Sequence, residues 1–248
     1  LALVTMILFL PEREIISMIK AVFFDLYQTL VCYDPPREEL QARALKEFGI
    51  EVMPEVLRRP LVAADEFVYQ EMARSSLGQR SKEEQMAIWV KYEGVLLKEA
   101  GIRADEQIIL GLLGRMRQFD MKMVPYDDVA TTLADLKDRG QLLGLISNVD
   151  RDITSLLDEI GLRSLLPVTV TSQDSGFNKP HPEIFREALR QAGVSASEAI
   201  YVGDQYQIDV VGANNVGMKG ILLDRNGYFE QVTDCPRIQS LTQVVEHL

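Results

Sequence analysis

A chain of 248 residues with 47% apolar and 25% charged positions can bury a full core without covalent help, either as one large domain or as a domain with a sizeable insert. Its 37 acidic residues outnumber its 26 basic ones, and the formal charge of −11 argues against a general electrostatic grip on nucleic acid or an anionic membrane; only a local basic pocket stays open. Cys32 and Cys235 are its two cysteines and lack metal-type spacing, so no disulfide framework or zinc site is expected and a reducing cytoplasm fits, while two histidines, His181 and His247, leave little for histidine chemistry.

Residues 1–17 open with an apolar stretch of about ten residues, too short for a spanning helix. They lack the basic leader and small-residue cleavage site of a secretory signal, so they read as an extension, with the folded unit expected to start near Met18. Ala21 to Phe24 is short, aromatic and β-branched, the pattern of a buried parallel strand, and it stops at Asp25. The segment VCYDPP after Leu30 reads as a break in regular structure.

From there to about Val124 the chain reads as all helix. Glu38 to Phe48, Pro54 to Arg74, Lys82 to Ala100 and Asp105 to Phe119 each carry apolar residues at three- and four-residue spacing, with Ser81 and Asp105 as N-caps. Beyond Pro125 helix and strand alternate. Helices are expected over Asp127 to Arg139, Asp150 to Ile160, Pro182 to Gln191 and Ile208 to Val216, and strands over Leu142 to Ile146, Val168 to Val170, Ala199 to Val202 and Gly220 to Leu223. The pattern predicts an α/β fold, a doubly wound parallel sheet interrupted after its first strand by a helical insert over residues 35–124, with the core made of 18–34 and 125–248.

Each expected strand ends at polar residues: Asp25, Ser147 with Asn148, Thr171 with Ser172, and Gly203 with Asp204. Parallel strands share one carboxyl edge, so these groups are expected to converge in one crevice beneath the insert, where ligands bind in open α/β sheets. Taken singly, Asp25 and Asp204 are also ordinary turn or helix-capping residues, Lys179 and His181 ordinary loop residues, and Arg58-Arg59 an ordinary exposed pair. Asp209, on an apolar helical face, is harder to explain as solvated charge.

Four ordered segments, DLYQTL at Asp25 to Leu30, LISN at Leu145 to Asn148, NKPHP at Asn178 to Pro182, and GDQYQID from Gly203 to Asp209 followed by Gly212-Ala213, resemble the motifs of the haloacid dehalogenase superfamily. The resemblance spans Met18 to Leu223 and implies a Rossmann-like core with a helical cap. It further implies Asp25 as a nucleophile that forms an aspartyl-phosphate, and Mg²⁺ held by Asp25, the carbonyl of Tyr27 and Asp204, with Asp209 in support. Ser147 would donate to a phosphoryl oxygen, Lys179 would balance charge, Thr29 would tie down the loop, and Asn148 and Tyr27 would face substrate. The implied partner is a small phosphorylated metabolite, with the protein as monomer or homodimer.

One position departs from the phosphatase pattern. Where most phosphatases of the superfamily carry a second Asp, two residues after the nucleophile, this chain has Tyr27, whose phenol has an ordinary pKa near 10. Losing a general acid-base group costs about 10² to 10⁴ in rate. Tyrosine there is similar to the metal-independent 2-haloacid dehalogenases, whose halide leaves without a proton, and a halogenated acid held by Arg58 or Arg59 is the alternative substrate. Retention of both Asp204 and Asp209 favours the metal-dependent phosphatase. A third alternative is a catalytically weak binding or regulatory protein that keeps the fold and the metal.

Overall fold

A computed structural model describes residues 18–248; the extension expected over residues 1–17 lies outside the described residues. The organising element is β1 (Ala21–Phe24), whose four residues are fully buried because both edges and both faces are covered. It pairs in parallel with β4 (Leu142–Ser147) on one side and β6 (Ala199–Gly203) on the other. Side chains alternate across a strand, so Val22 and Phe24 enter one apolar layer with Leu133, Leu136 and Leu241, while Ala21 and Phe23 enter the opposite layer with Ile184, Phe185 and Tyr201. With β5 (Val168–Thr171), β7 (Lys219–Leu223) and the short β8 (Arg237–Ile238), the sheet order is β5-β4-β1-β6-β7-β8, all parallel. The order reverses direction at β1, which puts Asp25 at the switch point where such sheets open a crevice.

The helices follow from the same patterns. Val129–Asp138 (α5) covers one face of the sheet, and α8 (Pro182–Ala192) covers the other with Ile184, Phe185, Ala188 and Leu189. Helix α8 is stopped by Gly193 at φ +66°, a left-handed position that suits glycine. Between strands 1 and 4 the cap comprises α1 (Arg37–Glu47), α2 (Pro54–Arg74), α3 (Lys82–Glu99) and α4 (Glu106–Met116) around its own core of Ala44, Leu45, Leu57, Leu61, Ala64, Leu96, Leu97 and Leu112. A capping box of Ser81 and Glu84 opens α3, and the Asp105 side chain opens α4, as the sequence predicts.

Three expectations are corrected. The VCYDPP segment is not a break: Val31–Asp34 (β2) pairs antiparallel with Lys122–Pro125 (β3), residue against residue from Val31↔Pro125 to Asp34↔Lys122. This two-stranded ladder is the neck of the cap and runs across the expected boundary at 124/125. The helix expected from Asp150 starts at Thr154 (α6, Thr154–Glu159), whose N–H is taken by the Asp152 side chain at 2.8 Å. The helix expected over Ile208 to Val216 is a π-turn at Tyr206–Val210 followed by α9 (Val211–Asn215).

Candidate active site

The first strand delivers Asp25 to the crevice with its N–H bonded to the Val202 carbonyl at 2.9 Å. The chain then folds back tightly: the N–H groups of Leu30 and Val31 both reach the Leu26 carbonyl, Tyr27 bridges Val31, and Gln28 takes φ +61°, a left-handed conformation that a non-glycine residue adopts at a cost. Buried Thr29 donates to Asp204, the residue after β6, at 3.5 Å.

Lys179 is the centre of the site. The residue is 2% exposed, and its ammonium donates to Asp25 Oδ1 at 2.6 Å, Asp209 Oδ1 at 2.7 Å and the Tyr201 hydroxyl at 2.7 Å. Three acceptors match the three protons of an ammonium. Burial by itself would discharge this lysine, but Asp209 and Asp25 outweigh it and hold its pKa above the usual lysine value. Asp209 is fully used, since the Tyr201 hydroxyl also reaches Oδ1 at 3.1 Å and the N–H of Gln205 donates to Oδ2 at 3.0 Å.

The nucleophile candidate has the opposite balance. Burial pushes the Asp25 carboxyl up to about 6, with the pull of Lys179 only partly restoring it and Asp209 adding to the rise. Asp204 is raised well above the carboxylate range by burial and by the charges of Asp25 and Asp209. Asp25, Asp204 and Asp209 each offer an oxygen within 4.8 Å of the others. Carboxylates packed this closely with one ammonium among them are a hard-oxygen donor set that a divalent cation such as Mg²⁺ would relieve, and the residues fit that ion.

Other expected residues have different placements. Ser147 ends β4 on the same carboxyl edge and is buried. Asn148 spends its amide on the Lys179 backbone, donating to its carbonyl at 3.0 Å and accepting from its N–H at 2.6 Å, so it holds the lysine loop in place. The third strand's end turns away from the crevice: Thr171 closes a capping box with Asp174, and Ser172 donates to Asp150 at 2.9 Å. His181 stacks on Phe177 and accepts from the N–H of Glu183, a helix-capping role.

Beside Asp204 lies a chamber of about 400 Å³ between core and cap, lined by Asp204 but not by Asp25, Asp209, Lys179 or Ser147. Tyr27 and Asp204 reach it from the core with Arg225 and Tyr228, and Arg37, Arg58 and Asp65 face it from the cap. Arg58 lines it while paired to Glu38 at 3.0 Å; Arg59 does not line it. Arg37 is held in a fork by Asp65, at 2.9 and 2.5 Å, bonds the Tyr92 hydroxyl at 3.1 Å, and lies 5.1 Å from the centre of the Tyr27 ring. The Tyr27 hydroxyl accepts from Gln28 at 3.2 Å, and Gln28 accepts from Tyr126 at 2.5 Å. Burial raises the Tyr27 phenol far above its ordinary value, so it stays neutral. Sequence reasoning missed Tyr201, which sits inside a strand as an apparently apolar core residue, and the Arg37–Asp65–Tyr92 group, whose members are far apart in the chain. An Asp on an apolar helix face was the available signal for Asp65, as it was for Asp209.

Comparison with known proteins bears on the same residues. A family model described as haloacid dehalogenase-like hydrolase matches residues 19–217. The glyceraldehyde 3-phosphate phosphatase of Methanothermobacter thermautotrophicus is 30% identical over 211 residues, 84% of this chain and 86% of that protein. The ribulose-1,5-bisphosphate 5-phosphatase of Halopiger xanaduensis is 28% identical over 212 residues, 84% and 85% of the two chains. Among solved structures, the 2-haloacid dehalogenase of Pseudomonas syringae pv. Tomato DC3000 is 28% identical, with TM-score 0.53 over 92% of this chain and 97% of that one. The family match covers the buried Asp at the switch point, the lysine bound to it from a later loop and most of the parallel sheet with its helical cap, and the protein belongs to the haloacid dehalogenase-like hydrolases.

Proposed function

We propose that the protein is a Mg²⁺-dependent phosphatase that takes a small phosphorylated metabolite, with Asp25 as the attacking group. The observation that carries this reading is the clustering of Asp25, Asp204 and Asp209, of which the ammonium of Lys179 pairs Asp25 and Asp209 and leaves Asp204 without a cationic partner among the described residues, an excess of negative charge that suits a metal-bound phosphoryl site and opposes a metal-free one. The phosphatases named above support it as relatives of similar length.

Asp25 and Asp204, with the Tyr27 carbonyl, would hold the ion, and Asp209 would support them from behind through Lys179 and Gln205. The bound Mg²⁺ would neutralise phosphoryl oxygens so that a carboxylate can approach them. The carboxylate of Asp25 attacks phosphorus as the bond to the leaving oxygen breaks, the leaving oxygen takes its proton from solvent, and water then attacks the aspartyl-phosphate, freeing Asp25 as carboxylate and releasing phosphate and a proton to solvent. Lys179 keeps Asp25 oriented and balances charge, and Ser147 stands at the edge for a phosphoryl oxygen. The chamber receives the leaving group.

A second reading, 2-haloacid dehalogenation, is favoured by Tyr27 and by likeness to the Pseudomonas enzyme. A paired assay separates the two: phosphate release from an aryl phosphate with Mg²⁺ or chelator, beside chloride release from a 2-chloro acid, with Asp25→Asn as control. Phosphate release that needs both Mg²⁺ and Asp25 is expected. Chloride release indifferent to chelator would overturn the phosphatase reading.

A further inference from the structure

The carboxyl end of α2 and the turn after it are tied to the two core loops that carry Asn148 and Lys179. The Asn178 side-chain amide donates to the Met72 carbonyl, in the last turn of α2, at 3.0 Å. The Ser76 hydroxyl donates to Asp150 Oδ2, while Oδ1 of the same carboxylate accepts from Ser172 at 2.9 Å. Among the described residues these are the hydrogen bonds that cross from the cap helices and their connections to the core. The neck ladder joins the cap to the core at its two chain ends.

Each side of the contact is hydrogen-bonded within itself. Arg80 gathers the cap turn by donating to the carbonyls of Glu71 and Ser75 and pairing with the Glu71 carboxylate at 3.1 Å. On the core side, Asn178 precedes Lys179, whose backbone is clamped by Asn148, and Asp150 lies two residues beyond Asn148. A last-turn helix carbonyl has no partner within its helix past the final turn, which makes Met72 a natural acceptor for an external donor.

We propose that Asn178 and Asp150 are positioning residues forming a two-point latch that holds the cap closed over the chamber, so that substrate affinity depends on contacts outside the chamber. This rests on the phosphatase reading for its kinetic consequence, while the latch itself is read without substrate. A closed cap keeps Arg37, Arg58 and Asp65 against the leaving group; a released cap leaves Asp25 and Lys179 intact, because both are fixed within the core. The kinetic signature is therefore a raised KM with kcat preserved.

The test uses the full chain with Asn178→Ala, Asn178→Asp and Ser76→Ala, each first shown folded by its thermal transition. Amide hydrogen exchange over residues 72–81 is measured without substrate, and KM and kcat are measured with an aryl phosphate and Mg²⁺. Loss of one hydrogen bond is expected to speed exchange and to raise KM by about fivefold, with kcat changed by less than about twofold. Ser76→Thr, which keeps the hydroxyl, is expected to match the native chain. Unchanged exchange would overturn the latch, and faster exchange with unchanged KM, or a fall in kcat alone, would overturn its positioning role. If the native chain releases no phosphate, the phosphatase reading fails while the exchange result still decides the latch.

Discussion

Two side chains carry the most consequential single-residue expectations. Tyr27 holds the place where a carboxyl would transfer a proton, and its buried phenol stays neutral. Tyr27→Asp is expected to raise turnover of an alkyl phosphate by about a hundredfold, the lower end of the range for a general acid-base group, and to do less for an aryl phosphate whose leaving group departs unaided. Steady-state assays on the two ester types check this; equal gains on both would sink the proton-transfer explanation. In the cap, Glu93 is 1% exposed with Gln41 as its hydrogen-bond partner, and burial pushes its carboxyl from 4.5 up to about 7. The unfolded chain gives up this proton first as pH rises, so the folded state loses stability from about pH 4.5 and levels off above about pH 7. The whole effect is of order 3 kcal/mol. Glu93→Gln is expected to be more stable than the native chain at pH 8 but not at pH 4, by denaturant unfolding at the two pH values.

At the scale of elements, β6 and the π-turn behind it form one unit. An added Cβ on Gly203 would lie 2.3 Å from the Asp209 carboxyl, and one on Gly220 of β7 would lie 2.7 Å from the Val210 carbonyl. Gly203→Ala is expected to cost about 1–3 kcal/mol through overpacking. It is also expected to weaken Mg²⁺ binding, because displaced Asp209 no longer holds Lys179; calorimetric titration and urea melts read the two effects separately. The sequence displayed β6 and the other strands at the centre of the sheet through apolar runs and most helices through apolar residues at helical spacing, and α2 at Pro54–Arg74 matches its expected span. It hid the π-turn, because the apolar face of Ile208 to Val216 has helical spacing, and only the Gln205–Asp209 contact and the close pass of Gly220 impose the wider turn. The neck strands were hidden for a different reason. Each is four residues long, and the two-stranded ladder is stabilised by pairing of residues far apart in the chain, from Val31 with Pro125 to Asp34 with Lys122, rather than by its own periodicity.

At the scale of the molecule, the site was legible because its pieces are short segments attached to strand ends, and parallel pairing alone brings Asp25, Ser147 and Asp204 to one edge. What lay outside reach was the division of labour among them: Asn148 as a clamp on Lys179, Tyr201 as a third acceptor for its ammonium, and Thr171 facing elsewhere. The neck has a consequence of another kind. Asp34 and Lys122 stand directly opposite each other in an antiparallel ladder, so the entire cap occupies the position of a hairpin loop. The sheet places no demand on what fills that loop beyond two ends a strand spacing apart, and loop-closure entropy grows only slowly with length. Such a chain can exchange its selectivity as a cassette, by replacement of the segment between the two neck strands, while the residues on the sheet's carboxyl edge are inherited unchanged.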